Sequence, residues 1–482
     1  MDSSAAVDLP LRARASRDPD RAFLGHPTGL GFIAFTEAWE RFSYYGMQAI
    51  LVLYMVDQLL LPGHAEHVAG LAPLRRGLEA VFGHLTVQGL SSQIFGLYTS
   101  LVYVTPLFGG IAGDRWLGRR MSVIIGALLM ACGHFMMAFE ASFLPALLAI
   151  ILGSGFLKGN LASQVGELYA PGDVRRDQAF QIYLIAVNAG AIAAPLVCGT
   201  LGEKVGFHYG FAAAGVGMVI GLCVYLAGRK RLPPERLRRL KQSAGEAGPT
   251  AAPTMTAQAM TAQDWRAIIA ILALIPIFAL VLVPNNQGFN VGVLWWRDYM
   301  NLDIFGFKMP VTWLMSAETV LSVSGLALGV IVWRRLADKG VKPHELTKIV
   351  IGVALAVCEP LIKAAFSFAA ASADWKIPLP SILTWDIVGI AAFVCYYPTG
   401  LALVSRAAPP RLAGVLISGY MMFTVITNFL VGWIGSYYQQ LGAPLFWLAH
   451  AGFPAASLVI LLAAYAPLKR AFGDPERVAA AG

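Results

Sequence analysis

Residues 37–49 read EAWERFSYYGMQA, and they lie inside an otherwise apolar run that begins near Gly29 and continues through ILVLYMV to Val56. Two glutamates and an arginine therefore sit in a segment long enough to cross a bilayer. An ionisable side chain at mid-bilayer costs at least ~2.5–3.5 kcal/mol on insertion scales unless it faces a partner or water. Glu37, Glu40, Arg41 and Tyr44 are spaced i, i+3, i+4 and i+7, which is one face of a helix. That face must turn inward, toward other helices. Two uses fit it. Glu37 and Arg41 can form a self-neutralising structural pair, or the cluster can line a cavity where carboxylates exchange protons or partners. Burial favours a neutral carboxyl and a neighbouring cation favours an ionised one, so such a cluster is switchable.

The rest of the chain agrees with a membrane setting. Of 482 residues, 57% are hydrophobic and 13% charged, with mean hydropathy +0.63. Soluble proteins carry about 25% charged residues. Apolar stretches of about 20 residues each span a ~30 Å hydrocarbon core. They occur near 29–57, 91–113, 121–139, 143–168, 178–203 and 206–228, then near 266–296, 311–335, 346–372, 380–404, 411–436 and 444–467. The expected fold is an all-α membrane protein with twelve transmembrane helices in two six-helix halves. Its divisions are a tail over 1–28, a bundle over 29–228, a basic linker over 229–264, a second bundle over 265–467 and a tail over 468–482. The linker opens with RKRLPPERLRRLK, a short basic helix by its pattern, and continues as a flexible run. The first 28 residues hold four arginines and no apolar core, so they read as an uncleaved tail.

The net charge is +8, yet the basic residues fall in short loops, which points to membrane topology rather than nucleic acid. With both termini inside, 26 Lys and Arg lie on the inner side and 6 on the outer. That bias predicts cytoplasmic termini, in the inner (plasma) membrane if the source is bacterial. The halves also resemble each other: GGIAGDRWLGRR (109–120) and WRRLADKGVKPHELTK (333–348) each place an aspartate and basic residues at an inner helix junction. Two parallel halves around a central cavity is the logic of the major facilitator architecture.

Further charges interrupt other spans. Lys158 lies in GSGFLKGNLASQVGELY and needs a carboxylate, for which Glu37 and Glu40 are the candidates. In the second half Glu318, Glu359, Lys363 and Asp386 lie in apolar runs; Glu359 and Lys363 are at i, i+4, and Asp386 is expected near the outer interface. With its helix starting near Pro310, Glu318 is expected roughly 12 Å in, facing the cavity. His134 reads as a hydrogen-bonded packing residue. His64, His67 and His84 fall in the long outer loop from Asp57 to Leu90, with too few ligands for a metal site. The five cysteines, all in apolar runs and none in CxxC, read as buried small residues. No GxSxG, HExxH or P-loop pattern suggests an enzyme, and no cofactor is expected.

EAWERFSYYGMQA looks like the first-helix ExxERFxYYG signature of the proton-dependent oligopeptide transporter (POT, or PTR) family. LYTSLVYVTPLFGGIAGDRWLGRR, GSGFLKGNLASQVGELY, FQIYLIAVNAGAIAAPL and YYPTGLALVSRAAPPRLAG resemble four more of its segments. The resemblance implies a major facilitator fold with alternating access. It implies that Glu37, Glu40 and Arg41 form a proton-coupling cluster and that Lys158 pairs with it. It places Tyr44, Tyr45, Tyr103 and Asn188, and in the second half Asn286, Gln287, Glu318 and Tyr420, at substrate-facing positions. Fixed charges for the two ends of a peptide, and Tyr and Asn for its amides, would bind many peptides without reading each side chain. The chain departs from the family pattern at Gln48, Asn285, Asn286, Phe393, Tyr420, Gly159 and Glu318. The expected function is proton-coupled uptake of di- and tripeptides or peptide-like solutes, with protons and the lipid bilayer as further partners. The alternatives are an uncoupled facilitator or exchanger of another amphoteric or anionic solute, and a non-transporting membrane receptor.

Overall fold

The first half consists of α1 (Thr28–Tyr54), α2 (Leu71–Phe82), α3 (Val87–Ala112), α4 (Arg119–Met136), α5 (Phe143–Glu167), α6 (Arg175–Ala194), α7 (Thr200–Lys204) and α8 (Phe207–Gly228). The second half begins with α9 (Ala262–Val281), α10 (Val283–Asn286) and α11 (Val291–Tyr299), followed by a hairpin of β1 (Asp303–Ile304) and β2 (Phe307–Lys308). It continues with α12 (Trp313–Asp338), α13 (Glu345–Ala373), α14 (Ile382–Ala407), α15 (Ala413–Tyr420), α16 (Phe423–Gly435), α17 (Tyr438–Ala463) and α18 (Tyr465–Phe472). This computed structural model describes residues 21–170, 172–235, 260–373, 375–409 and 411–473. Most of the N-terminal tail, most of the basic linker and most of the C-terminal tail lie outside the described residues.

Among the described residues, eleven helical segments are long and apolar enough to cross a membrane. The twelfth crossing is α1, whose central Glu37, Glu40 and Arg41 make it less apolar than the rest. The two six-helix halves are therefore as expected. The end where the chain enters α1 and leaves α17 is called the terminal end below, and the opposite one the far end.

Local chemistry sets the boundaries. Thr86 caps α3 by accepting a hydrogen bond from the Gly89 amide at 3.0 Å. Thr261 and Asp264 form a reciprocal capping box at the start of α9. Inside the first half, small residues let helices meet closely. A Cβ on Gly126 of α4 would stand 2.6 Å from the Gly153 carbonyl oxygen of α5, so only glycine fits there.

Two expectations about segments change. The seventh crossing, expected as one helix over 266–296, is broken: α9 ends at Val281, and PNNQG runs through the short α10 and a 3-10 turn over Gln287–Phe289 before α11 resumes at Val291. Pro284 removes a backbone donor and Asn290 leaves helical geometry at φ −108°, ψ −101°. The outer loop after Asp57 is not only loop. Its α2 is amphipathic, with Leu71, Leu74, Leu78 and Phe82 packed on the core. The Phe82 ring lies 6.3 Å from that of Phe429 on α16. Outside the bilayer, the hydrogen bond from Arg75, and then one from the Leu85 amide, hold the Glu79 carboxyl below its usual range.

The halves are joined at the far end. Arg297 pairs with Asp57 at 2.6 Å, and Thr312 donates to Glu203 at 2.7 Å. Trp313 Nε1 donates to Thr200 Oγ1 at 2.7 Å, and Ser316 donates to the Ile192 carbonyl at 2.7 Å. Ser92 and Gln88 of α3 donate to Asn290 and to the Gly435 carbonyl, each at 3.0 Å. Here Gly96 faces Gly432, and a Cβ on Gly96 would stand 2.5 Å from the Gly432 Cα. Beyond these contacts the halves diverge. The buried residues of α12 are Leu314, Met315 and Ser316, in its first turn, and the helix is open from there toward the terminal end. The result is a cleft between the halves, shut at the far end.

Candidate functional site

In the first half the charged face of α1 is buried against α6 and α5. Glu40 is fully buried, and Glu37 and Arg41 are 4% and 9% exposed. Arg41 Nε lies 3.0 Å from Glu37 Oε1 and 2.5 Å from Glu40 Oε2. One guanidinium thus faces two carboxyls. Tyr183 of α6 lies beside Glu37. This residue was missed from sequence; its signal was a lone hydroxyl in the apolar run FQIYLIAVN.

Lys158 differs from expectation. Its Nζ makes no hydrogen bond among the described residues. It sits 4.2 Å above the Tyr44 ring and 5.2 Å above the Tyr103 ring. The expected salt bridge to Glu37 or Glu40 is not formed in this conformation, because Arg41 already occupies both carboxyls. Two aromatic faces hold the ammonium instead, a favourable but weaker arrangement. Tyr103 is 39% exposed, and Tyr45 and Asn188 are half-buried. Asn188 Nδ2 donates to the carbonyl of Leu184 at 2.8 Å. Tyr45 packs 6.0 Å from Phe289 of the broken seventh crossing, so the two halves meet beside the site.

The second half carries its own charged group. Lys363 Nζ donates to Glu359 Oε1 at 2.7 Å, the expected i, i+4 pair. Gly389 on α14 leaves the space that the Glu359 carboxyl fills. Glu318 on α12 is half-buried, and α14 packs on α12 through the face that carries Asp386, Ile390 and Val394, which places Asp386 near it. Two corrections follow. Asp386 is 7% exposed and does not reach an outer interface, because α14 turns it against α12. The α12 helix starts at Trp313, not near Pro310, so Glu318 lies shallower than expected.

Of the remaining candidates, Asn286 is half-buried and donates to Asn428 Oδ1 at 3.2 Å. Gln287 is fully buried and donates to the Val431 carbonyl at 3.1 Å; it ties the seventh crossing to α16 and does not face the cleft. Tyr420 is 1% exposed, with its ring 5.3 Å from Phe278 and 5.1 Å from Phe423. It belongs to an aromatic core, because the chain breaks between α15 and α16 directly after it. Phe393 stacks on Tyr397 at 4.6 Å. His134 is buried, but neither ring nitrogen has a hydrogen-bond partner among the described residues. All five cysteines are free, and Cys132, Cys223 and Cys358 are exposed rather than buried. His64 bonds Glu140 at 2.8 Å.

Comparisons with known proteins agree with this geometry. A profile of the POT family matches residues 120–239. The uncharacterized transporter YclF of Bacillus subtilis (strain 168) is 28% identical, over 84% of this chain and 86% of its own. A di-/tripeptide transporter of Lactococcus lactis subsp. lactis (strain IL1403) is 39% identical over 219 residues, 45% of this chain and 40% of its own. The crystal structure of peptide transporter POT in complex with sulfate superposes with a TM-score of 0.74 at 26% identity, covering 94% of this chain and 97% of that one. With the α1 signature, the twelve crossings in two halves and a likeness to such structures over most of its length, the chain is similar to the POT family of peptide transporters.

Proposed function

We propose that the protein is a secondary active transporter that takes up di- and tripeptides or peptide-like solutes with protons, by alternating access. The observation that carries this reading is the Lys158 ammonium, held over Tyr44 and Tyr103 without a protein anion beside the buried Glu37–Glu40–Arg41 cluster. A buried cation without an anion is costly, and the carboxylate end of a peptide satisfies it. Across the cleft, Glu318 faces the ammonium end, and Tyr45, Tyr103 and Asn188 meet the amides. Protonation of Glu37 or Glu40 weakens the hold on Arg41 and links proton occupancy to the movement of α1. The lysine and arginine bias supports cytoplasmic termini in a bacterial inner membrane, so the conformation described is open to the cytoplasm.

The test uses purified protein in liposomes and a panel of peptides, with and without an inward proton gradient. Gradient-driven uptake of a subset of di- or tripeptides is expected. Counterflow without response to the gradient would leave an uncoupled facilitator. That second reading is favoured by the neutral Asn286 and Phe393, which hydrogen-bond and stack within the second half. Solute-dependent stabilisation without any flux would leave a receptor.

A further inference from the structure

We propose that Glu318 and Asp386 form one acid, a carboxyl pair that shares a single proton and serves as a second proton-carrying site, in the half of the molecule opposite α1. Three elements build it. Glu318 comes from α12 at the wall of the cleft, and Asp386 shares with Ile390 and Val394 the face of α14 that packs on α12, where Cβ atoms on Gly325 and Gly329 would run into those two side chains; this sets Asp386 beside Glu318. Asp386 is 7% exposed, and its Oδ2 has no hydrogen-bond partner among the described residues. Glu359 and Lys363 of α13 face the pair, with Lys363 donating to Glu359 at 2.7 Å. On α17, Trp447 lies under the Lys363 ammonium at 4.9 Å, and His450 turns its Nδ1 to its own Phe446 carbonyl at 2.8 Å. From the broken seventh crossing comes Gly288, where a Cβ would stand 3.6 Å from Glu318 Oε2.

Charge counting decides the assignment. The group holds three carboxyls and one ammonium. Lys363 is committed to Glu359, which leaves Glu318 and Asp386 with each other. Two neighbouring carboxylates repel, and one proton held between them relieves that repulsion through a charge-assisted hydrogen bond. The pair then carries a single negative charge, with Glu318 open to the cleft and Asp386 shielded from it. A second proton arriving through Glu318 removes that charge, and a substrate ammonium at the wall would lose its counter-ion. The coupling role rests on the transport reading above, whereas the shared proton does not.

The experiment is infrared difference spectroscopy of the purified protein in lipid nanodiscs, without peptide and without a gradient. Wild type is expected to show the C=O stretch of a protonated carboxyl at neutral pH, bleached as pH rises. The substitutions Glu318→Gln and Asp386→Asn should each remove the same one-proton amplitude, and the double variant should remove no more. Should Asp386→Asn fail to fold, Glu318→Gln at the cleft wall reads the same band. An undiminished amplitude in Glu318→Gln overturns the proposal, as does a double variant that loses twice the single amplitude. Because no solute is present, absence of peptide uptake leaves this result unaffected.

Discussion

The two halves of the molecule solve the same electrostatic problem in opposite ways. The first concentrates its buried charges on one helix: α1 carries Glu37, Glu40 and Arg41 on one face and stays continuous through them. The corresponding first crossing of the second half has no charge between Arg266 and Arg297, and it is broken. Its acids are dispersed over α12, α13 and α14. The terminal ends show a related reversal. Arg119 at the start of α4 pairs with Glu167 at the end of α5 at 2.6 Å, whereas Glu345 at the start of α13 pairs with Arg406 at the end of α14 at 3.1 Å. The positions correspond and the signs are exchanged. Repeat architecture therefore preserves where a bridge is needed more faithfully than which residue supplies which charge.

The strongest way to break this comparison is to remove the central cation of each half. Arg41→Met strands two buried carboxyls, and Lys363→Met strands Glu359 beside the Glu318–Asp386 pair. Each is expected to lower stability by about 3–5 kcal/mol, the range for breaking a buried pair from one side, measured by thermal unfolding in detergent. The halves should then differ in rescue. Glu359→Met should restore most of the loss in Lys363→Met, because that pair closes on itself. Neither Glu37→Met nor Glu40→Met alone should restore Arg41→Met.

A second test addresses the contact on which the halves meet. Gly432→Val inserts side-chain atoms where even a Cβ would stand 2.8 Å from the Gly96 Cα. Overpacking of that kind costs about 1–3 kcal/mol, here charged to the far-end-closed conformation alone. Spin-label distances across the far end should lengthen, and counterflow should fall about tenfold or more. Unchanged distances would show that the contact tolerates separation.

Smaller in stability, but sharper for function, is Lys158→Ala. Because Lys158 has no anion to strand, unfolding should shift by no more than about 1–2 kcal/mol, the scale of its aromatic contacts, while gradient-driven uptake is lost. A loss of stability equal to that of Arg41→Met would show that Lys158 is a structural partner of the α1 acids. The smallest effect is expected at the far-end ion pair. Asp57→Asn removes an exposed partner of Arg297, which keeps Asp298 at 2.8 Å, so at most about 1 kcal/mol is at stake. Counterflow should change by several-fold or less.

Much of the fold was legible because the bilayer imposes a length and an apolarity that composition alone reveals. The charged face of α1 was legible because four residues at helical spacing admit only one side. Other features depended on what lies across from a residue. The spacing of Leu71, Leu74, Leu78 and Phe82 fits a helix, but the segment falls between two membrane spans and is too short to cross a bilayer, so it reads as a loop. Pro284 and Gly288 in PNNQG marked a break that an uninterrupted apolar run concealed. Lys158 had plausible partners in sequence, yet Arg41 had already taken them. Asp386 seemed near an interface, and only the rotation of α14 against α12 shows that it faces another acid.

The interruption of the seventh crossing has an electrostatic consequence of its own. A continuous helix keeps its terminal backbone charges at the membrane surfaces. Ending α9 at Val281 and restarting at Val291 brings a new helix start, with unpaired amides and about half a positive charge, into the span itself. That start lies next to Gly288 and so beside Glu318. The second half thus lacks an arginine on its first helix but sets a fractional positive charge, made of backbone alone, near its acids. A dipole of this kind cannot be deprotonated, and it moves only when the helix moves. Any rocking of α11 would therefore change the field at Glu318 without a side chain changing its charge.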